Sequence, residues 1–186
     1  MNKIKRVSQI FRILFQIGFV AAPIALVLTW WFAPHSLATI TNSCATPTGV
    51  SYRFIPATQI LHPLSAETKF FGFLVSIIPT GIQMFLLYFL IKLFRLYEHA
   101  EIFSLAAVKY IKRIGYTLLI GQAAYIIYQA LITGILTWGN PSGHRTITIG
   151  FGSPNFAIVL TALIVILISW IMEEGCKLRD EQQYTV

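Results

Sequence analysis

Charge is what this sequence has least of. Only 11% of its 186 residues are Asp, Glu, Lys or Arg, whereas a soluble domain carries about 25%, and 56% are hydrophobic. That balance excludes a water-soluble globular domain and leaves lipid as the solvent for most of the chain. Acids are scarcer than bases, seven against 14. No carboxylate pair of catalytic spacing, nucleophile motif or phosphate-cradling glycine loop occurs, so no catalytic residue, cofactor or enzyme activity is expected. Cysteine is limited to Cys44 and Cys176. His35, Cys44, His62 and His144 are ligand types that zinc or copper accepts, but their spacing is irregular and no local pair is present, so no metal site is expected. There is no internal repeat and no low-complexity segment.

What is present is four apolar runs, at about 13–32, 70–91, 114–137 and 156–172, none containing Asp, Glu, Lys, Arg or His. A helix rises about 1.5 Å per residue, so runs of this length match a hydrocarbon core of about 30 Å. In lipid each backbone must satisfy its own hydrogen bonds, and continuous rather than alternating apolarity selects helices over a barrel. The expected fold is all-α: a four-helix transmembrane bundle, 1–186 forming a single integral membrane domain. The first run exceeds the roughly 7–15 residues of a signal h-region and is read as a retained span. Pro23 and Pro79 are expected to kink their helices.

The bases flank the runs, which is the signature of topology rather than of nucleic-acid reading. With the N-terminus inside, one side holds Lys3, Lys5, Arg6, Arg12, Lys92, Arg95, Lys109, Lys112, Arg113, Lys177 and Arg179, and the other Arg53, Lys69 and Arg145. Eleven against three puts both termini in the cytoplasm, and Cys44 and Cys176 on opposite faces. The inner connection, 92–113, reads as helix on both sides of a break near His99, with Ser104 as N-cap of the second arm and Leu105, Val108 and Ile111 as its apolar stripe. This predicts a cytoplasmic helical hairpin with Lys109, Lys112 and Arg113 at headgroup level, open to partners or lipid. In the outer loops, Val50, Tyr52 and Phe54, and Ile147, Ile149 and Phe151, alternate with small or polar residues, and 140–143 has turn chemistry; a small two-stranded cap is the expectation.

Within the runs, Ser76, Thr80 and Gln83 on the second and Gln122, Tyr125 and Gln129 on the third share helical spacing. They read first as helix-helix polar contacts and second as the lining of a pocket or pathway. Gly18 with Ala22, Ala21 with Ala25, and Ala130 with Gly134 read as close helix contacts. Trp30, Trp31 and Trp138 read as an interfacial aromatic belt. Glu173 is expected to meet Lys177 one turn on.

Two stretches, Glu101-Ile102-Phe103-Ser104 followed by Lys112-Arg113-Ile114-Gly115-Tyr116, and Leu178, Glu181 and Thr185-Val186, make the chain resemble a bacterial membrane-protein family catalogued as domain of unknown function 2975. Ala100 stands where that family has glycine. The resemblance implies four helices in a bacterial inner membrane and, by gene neighbourhood, a cytoplasmic helix-turn-helix regulator as partner. Expected partners are thus the lipid bilayer, that regulator and further copies of the chain, without direct nucleic-acid contact. The expected role is non-enzymatic regulation or interaction, the alternative a small transporter or channel for an uncharged or amphipathic solute.

Overall fold

The computed structural model describes residues 2–31, 65–99, 104–141, 143–145 and 147–184, apart from the side chains of 2–4, 180 and 182–184. These form four α-helices: α1 (Asn2–Trp31), α2 (Ala66–Glu98), α3 (Leu105–Thr137) and α4 (Ser153–Tyr184). Each contains a segment long and apolar enough to cross a membrane. The chain is an all-α, multi-pass membrane protein.

Every helix outruns its apolar stretch, and always most at the end that the basic residues mark. α1 begins at Asn2 rather than 13, α2 continues from 91 to Glu98, α3 begins at Leu105 rather than 114, and α4 continues from 172 to Tyr184. Lys, Arg, Glu and Gln are good helix formers, so the helix persists where hydrophobicity stops. The terminal polar segment is therefore helix as far as Tyr184. Ser104 caps α3 as expected, its Oγ accepting the Ala107 amide at 3.1 Å. Of the expected apolar stripe, Val108 is buried and Ile111 packs against the core, whereas Leu105 is exposed; Ala107 and Ile114 join the buried face. α1 and α2 run on through Pro23 and Pro79.

The chain divides into two compact units. The first takes Met1–Phe19, Met84–Gln122 and Ser153–Val186. Its core is Leu93, Ala107 and Ile114, with Phe89, Leu90, Tyr110 and Leu118 packed around them. α1 is held to α2 by Phe11 and Phe15, whose rings lie 5.3 and 5.5 Å from that of Phe94, and by an Arg12–Glu98 ion pair at 2.9 Å. α3 meets α4 at Gly115, where a Cβ would lie 2.5 Å from Ile166 Cγ1 and 3.3 Å from the Ala162 carbonyl oxygen. Only glycine permits that approach, the small-residue contact typical of membrane helices. α4 buries Asn155, Ala162, Ser169 and Cys176, seven residues apart and so on one face. Its other side leaves Phe156, Leu160, Leu163, Leu167 and Ile171 exposed, a surface suited to hydrocarbon.

The second unit takes Val20–Gln83 and Ala123–Gly152. Leu26, Trp30, Tyr128, Ile132 and Leu136 form its core. Trp30 departs from the aromatic belt. It is buried, its ring lies on Gly72 where a Cβ would collide with it, and its Nε1 donates to Ser76 Oγ at 3.2 Å. A buried indole needs an acceptor, and Ser76 supplies it. Trp31 and Trp138 remain exposed, as a belt requires.

The expected cap has no strand among the described residues. The turn is present: the His144 amide donates to the Pro141 carbonyl at 3.1 Å, and Gly143 takes φ +104°. Residues 147–151, however, join no strand, and 50–54 lie outside the described residues. The period-two alternation points the amides of Thr148 and Gly150 at side chains of α3 and leaves Ile147, Ile149 and Phe151 exposed.

Candidate functional site

In the second unit the polar residues of α2 are turned on their own helix. Ser76 Oγ donates to the Gly72 carbonyl at 2.7 Å and Thr80 Oγ1 to that of Ser76 at 2.9 Å. Both side chains are buried and Gln83 is half-buried. Hydroxyls bonded one turn back are saved from being unpaired donors in an apolar medium, but offer little to a passing solute.

α3 uses its polar side chains to hold the segment that follows it. Gln129 Oε1 accepts the Gly150 amide at 2.7 Å, and Thr133 Oγ1 accepts the Thr148 amide at 3.1 Å while donating to the Gln129 carbonyl at 2.8 Å. Thr137 Oγ1 donates to the Thr133 carbonyl at 2.8 Å. One turn beyond, Asn140 Nδ2 donates to the His144 carbonyl at 3.0 Å, and Arg145 Nε to that of Asn140 at 3.2 Å. Arg145 also lies over the Trp138 ring, 5.4 Å from its centroid. Gln129, Thr133 and Thr137 stand four residues apart, so they form one polar column on α3. The sequence reading ended that column at Gln129 and missed Thr133 and Thr137, although the same spacing continued through them. Gly134 belongs to the same contact, near Ile147 rather than a neighbouring helix. Tyr125 is half-buried against the core. A cavity of about 330 Å³ in this unit is lined by Glu67, Thr68, Phe71, Ile135 and Trp138, of which only Trp138 was singled out by sequence, as part of the aromatic belt.

In the first unit Gln122 is buried, and its Nε2 has no hydrogen-bond partner among the described residues. The basic end of α3 divides by environment. Lys112 pairs with Glu173 of α4 at 3.4 Å, so Glu173 does not meet Lys177; the latter pairs with Glu174 at 3.4 Å. The swap follows from helix position: Glu173 lies near the buried face of α4, within reach of α3, and Glu174 on the exposed face. Lys109 is exposed. Arg113, also exposed, lies over the rings of Phe89 and Tyr110, at 5.8 and 6.0 Å. Sequence alone also missed the Arg12–Glu98 pair, because nothing in either run says which helices are neighbours.

His144 is exposed; His35, Cys44 and His62 lie outside the described residues. No group of three or more His, Cys, Asp or Glu placed to hold a metal ion occurs among the described residues.

No curated protein and no solved structure matches the chain. One family pattern does, and it covers residues 50–186, all of α2 to α4 and the connections between them. It includes both stretches on which the resemblance rested, and the chain belongs to the family described as Protein of unknown function (DUF2975).

Proposed function

We propose that the protein is a non-enzymatic regulatory or interaction protein of the bacterial inner membrane. Its termini are cytoplasmic, and the helix ends beyond the lipid hold a soluble protein, a helix-turn-helix regulator being the partner that the resemblance implies. The observation that carries this reading is the fate of the polar side chains in the second unit. Ser76, Thr80, Thr133 and Thr137 are bonded to helix carbonyls, and Gln129 and Thr133 to loop amides. They serve as structural contacts, leaving the protein's water-facing helix ends as its usable surface. There α3 presents exposed Lys109 and α4 presents exposed Lys177 and Leu178. An ordered helical surface loses less entropy on binding than a loose tail, which favours recognition by these turns.

The test is a crosslinking pull-down from native membranes with wild type, Lys109→Glu and a chain ending at Cys176. Lys112 is left alone because reversing it would break the pair with Glu173. A cytoplasmic protein retained by wild type and released by both variants supports the reading. Equal capture by all three would overturn it.

A second reading, a small transporter or channel for an uncharged or amphipathic solute, draws on one specific observation. The Nε2 groups of Gln122 and of Gln129 are buried without hydrogen-bond partners among the described residues. Solute flux in liposomes that vanishes on replacing Gln83, Gln122 and Gln129 with leucine, yet survives removal of the α4 end, would favour it.

A further inference from the structure

Five bases of the first unit are engaged in two different ways. Arg12, Lys112 and Lys177 have carboxylate partners in Glu98, Glu173 and Glu174. Lys92 and Arg113 have none among the described residues and rest instead on aromatic rings. Lys92 Nζ is 5.6 Å from the Tyr88 centroid, and the Arg113 guanidinium is 5.8 Å from that of Phe89 and 6.0 Å from that of Tyr110. The rings adjoin one another: Tyr88 to Phe89 is 5.7 Å between centroids, and Phe89 to Tyr110 is 6.5 Å. α2 and α3 thus share one aromatic face, with Lys92 on Tyr88 and Arg113 on the adjoining Phe89 and on Tyr110. A ring attracts a cation through its quadrupole but leaves its charge unneutralised, so the pair still calls for an anion.

The level of these two residues says which anion. Lys92 directly follows the apolar run ending at Ile91, and Arg113 directly precedes the run beginning at Ile114. At the basic ends of their helices they are the first charges beyond the apolar runs, which is the depth expected of lipid phosphates. Arg95 and Lys109 lie about one turn, roughly 4.5–6 Å, further out, and among the described residues no ring holds either of them. We propose that Lys92 and Arg113, seated on the shared aromatic face of Tyr88, Phe89 and Tyr110, form a binding site for the headgroup of an anionic phospholipid. Its phosphate meets the two cations and its glycerol and upper acyl carbons lie on the rings. This is a defined site, distinct from the diffuse attraction of any basic surface to anionic lipid. It is independent of the partner proposed above, whose contacts are Lys109 and the end of α4.

The experiment uses the full chain, purified in detergent and titrated with phosphatidylglycerol or phosphatidylcholine, with bound lipid counted by native mass spectrometry. Wild type is expected to take up one phosphatidylglycerol saturably and to show no such step with phosphatidylcholine. Lys92→Gln and Arg113→Gln should each weaken that step about fivefold, the fold-change equivalent to roughly 1 kcal/mol per cation near a lipid surface. Phe89→Leu, which keeps both charges, should weaken it too. Arg95→Gln and Lys109→Gln should change it less than twofold. Uptake without saturation, or equal losses at Arg95 and Lys92, would overturn the proposal in favour of diffuse charge. Displacement by millimolar inorganic phosphate would overturn the lipid assignment and leave a soluble phosphate as occupant. If a site variant does not fold, the wild-type saturation and phosphate competition still decide.

Discussion

Replacing Gln129 with leucine tests the claim that α3 acts as the partner of the extended segment after it. Gln129 is 2% exposed, and its Oε1 accepts the Gly150 amide at 2.7 Å. Leucine fits the site in size and is favoured in hydrocarbon, so the substitution removes the acceptor without breaking the helix. The loss is that of one N–H deprived of its partner, about 1–3 kcal/mol when fully buried. Gly150 is only half-buried and water can take up part of the bond, which places the cost near the lower end, about 1 kcal/mol or a fivefold change in local opening. Thr133→Val is the matching perturbation at Thr148, with a similar cost. Both amides belong to one short segment, so the double variant should depart from additivity by at least about 0.5 kcal/mol. Hydrogen exchange in nanodiscs reads this directly. The Gly150 amide should exchange about fivefold faster in Gln129→Leu, with the α1 and α4 amides unchanged. If exchange at Gly150 is unaltered, the hydrogen bond does not hold the segment, and the engagement of polar groups cited against a solute pathway loses its strongest member.

Three further outcomes are expected. Val108→Pro should prevent normal folding, since Val108 is 2% exposed and its amide donates to the Ser104 carbonyl at 3.1 Å; the cost in an ordered helix is about 3 kcal/mol or more, and unchanged yield and thermal midpoint would contradict the capped start of α3. Gly115→Val should drive α3 from α4, destabilising by about 1–3 kcal/mol as an overpacked contact, read as a lower thermal midpoint in detergent. Topology is best read from Lys109→Cys and His144→Cys in a background lacking both native cysteines, because Cys176 is 4% exposed and would stay unlabelled from either side. Impermeant reagent should label residue 144 and spare 109 in intact cells, and the reverse pattern would invert the orientation.

What was legible in the sequence follows from which forces act through composition alone. The four spans could be read because lipid demands long, continuous apolarity, which needs no knowledge of neighbours. The Ser104 cap was legible because it is local, spanning three residues. The helix ends were not, since polar helix formers such as those of 173–184 carry no lipid signal and read equally well as a tail. Trp30 misled for a related reason. Its place near a helix end fits an interfacial belt, and only the arrival of Gly72 from α2, leaving room for the ring and setting Ser76 under its N–H, turns it into a core residue.

The segment 147–151 shows the limit most sharply. Alternation states that successive side chains face opposite ways, and the structure keeps that alternation, with Ile147, Ile149 and Phe151 on one side and the amides of Thr148 and Gly150 directed to the other. It does not state what receives those amides. A strand edge offers carbonyls about every second residue, at a spacing of 6–7 Å. A helix face with polar side chains at i and i+4 offers acceptors about 6 Å apart along its axis, nearly the same interval. Gln129 and Thr133 stand at that spacing, so the column serves as a substitute strand for two amides. The polar stripe, read first as helix-helix contacts and second as a pathway, and the alternating run, read as a strand, meet at Gln129 as two halves of one contact.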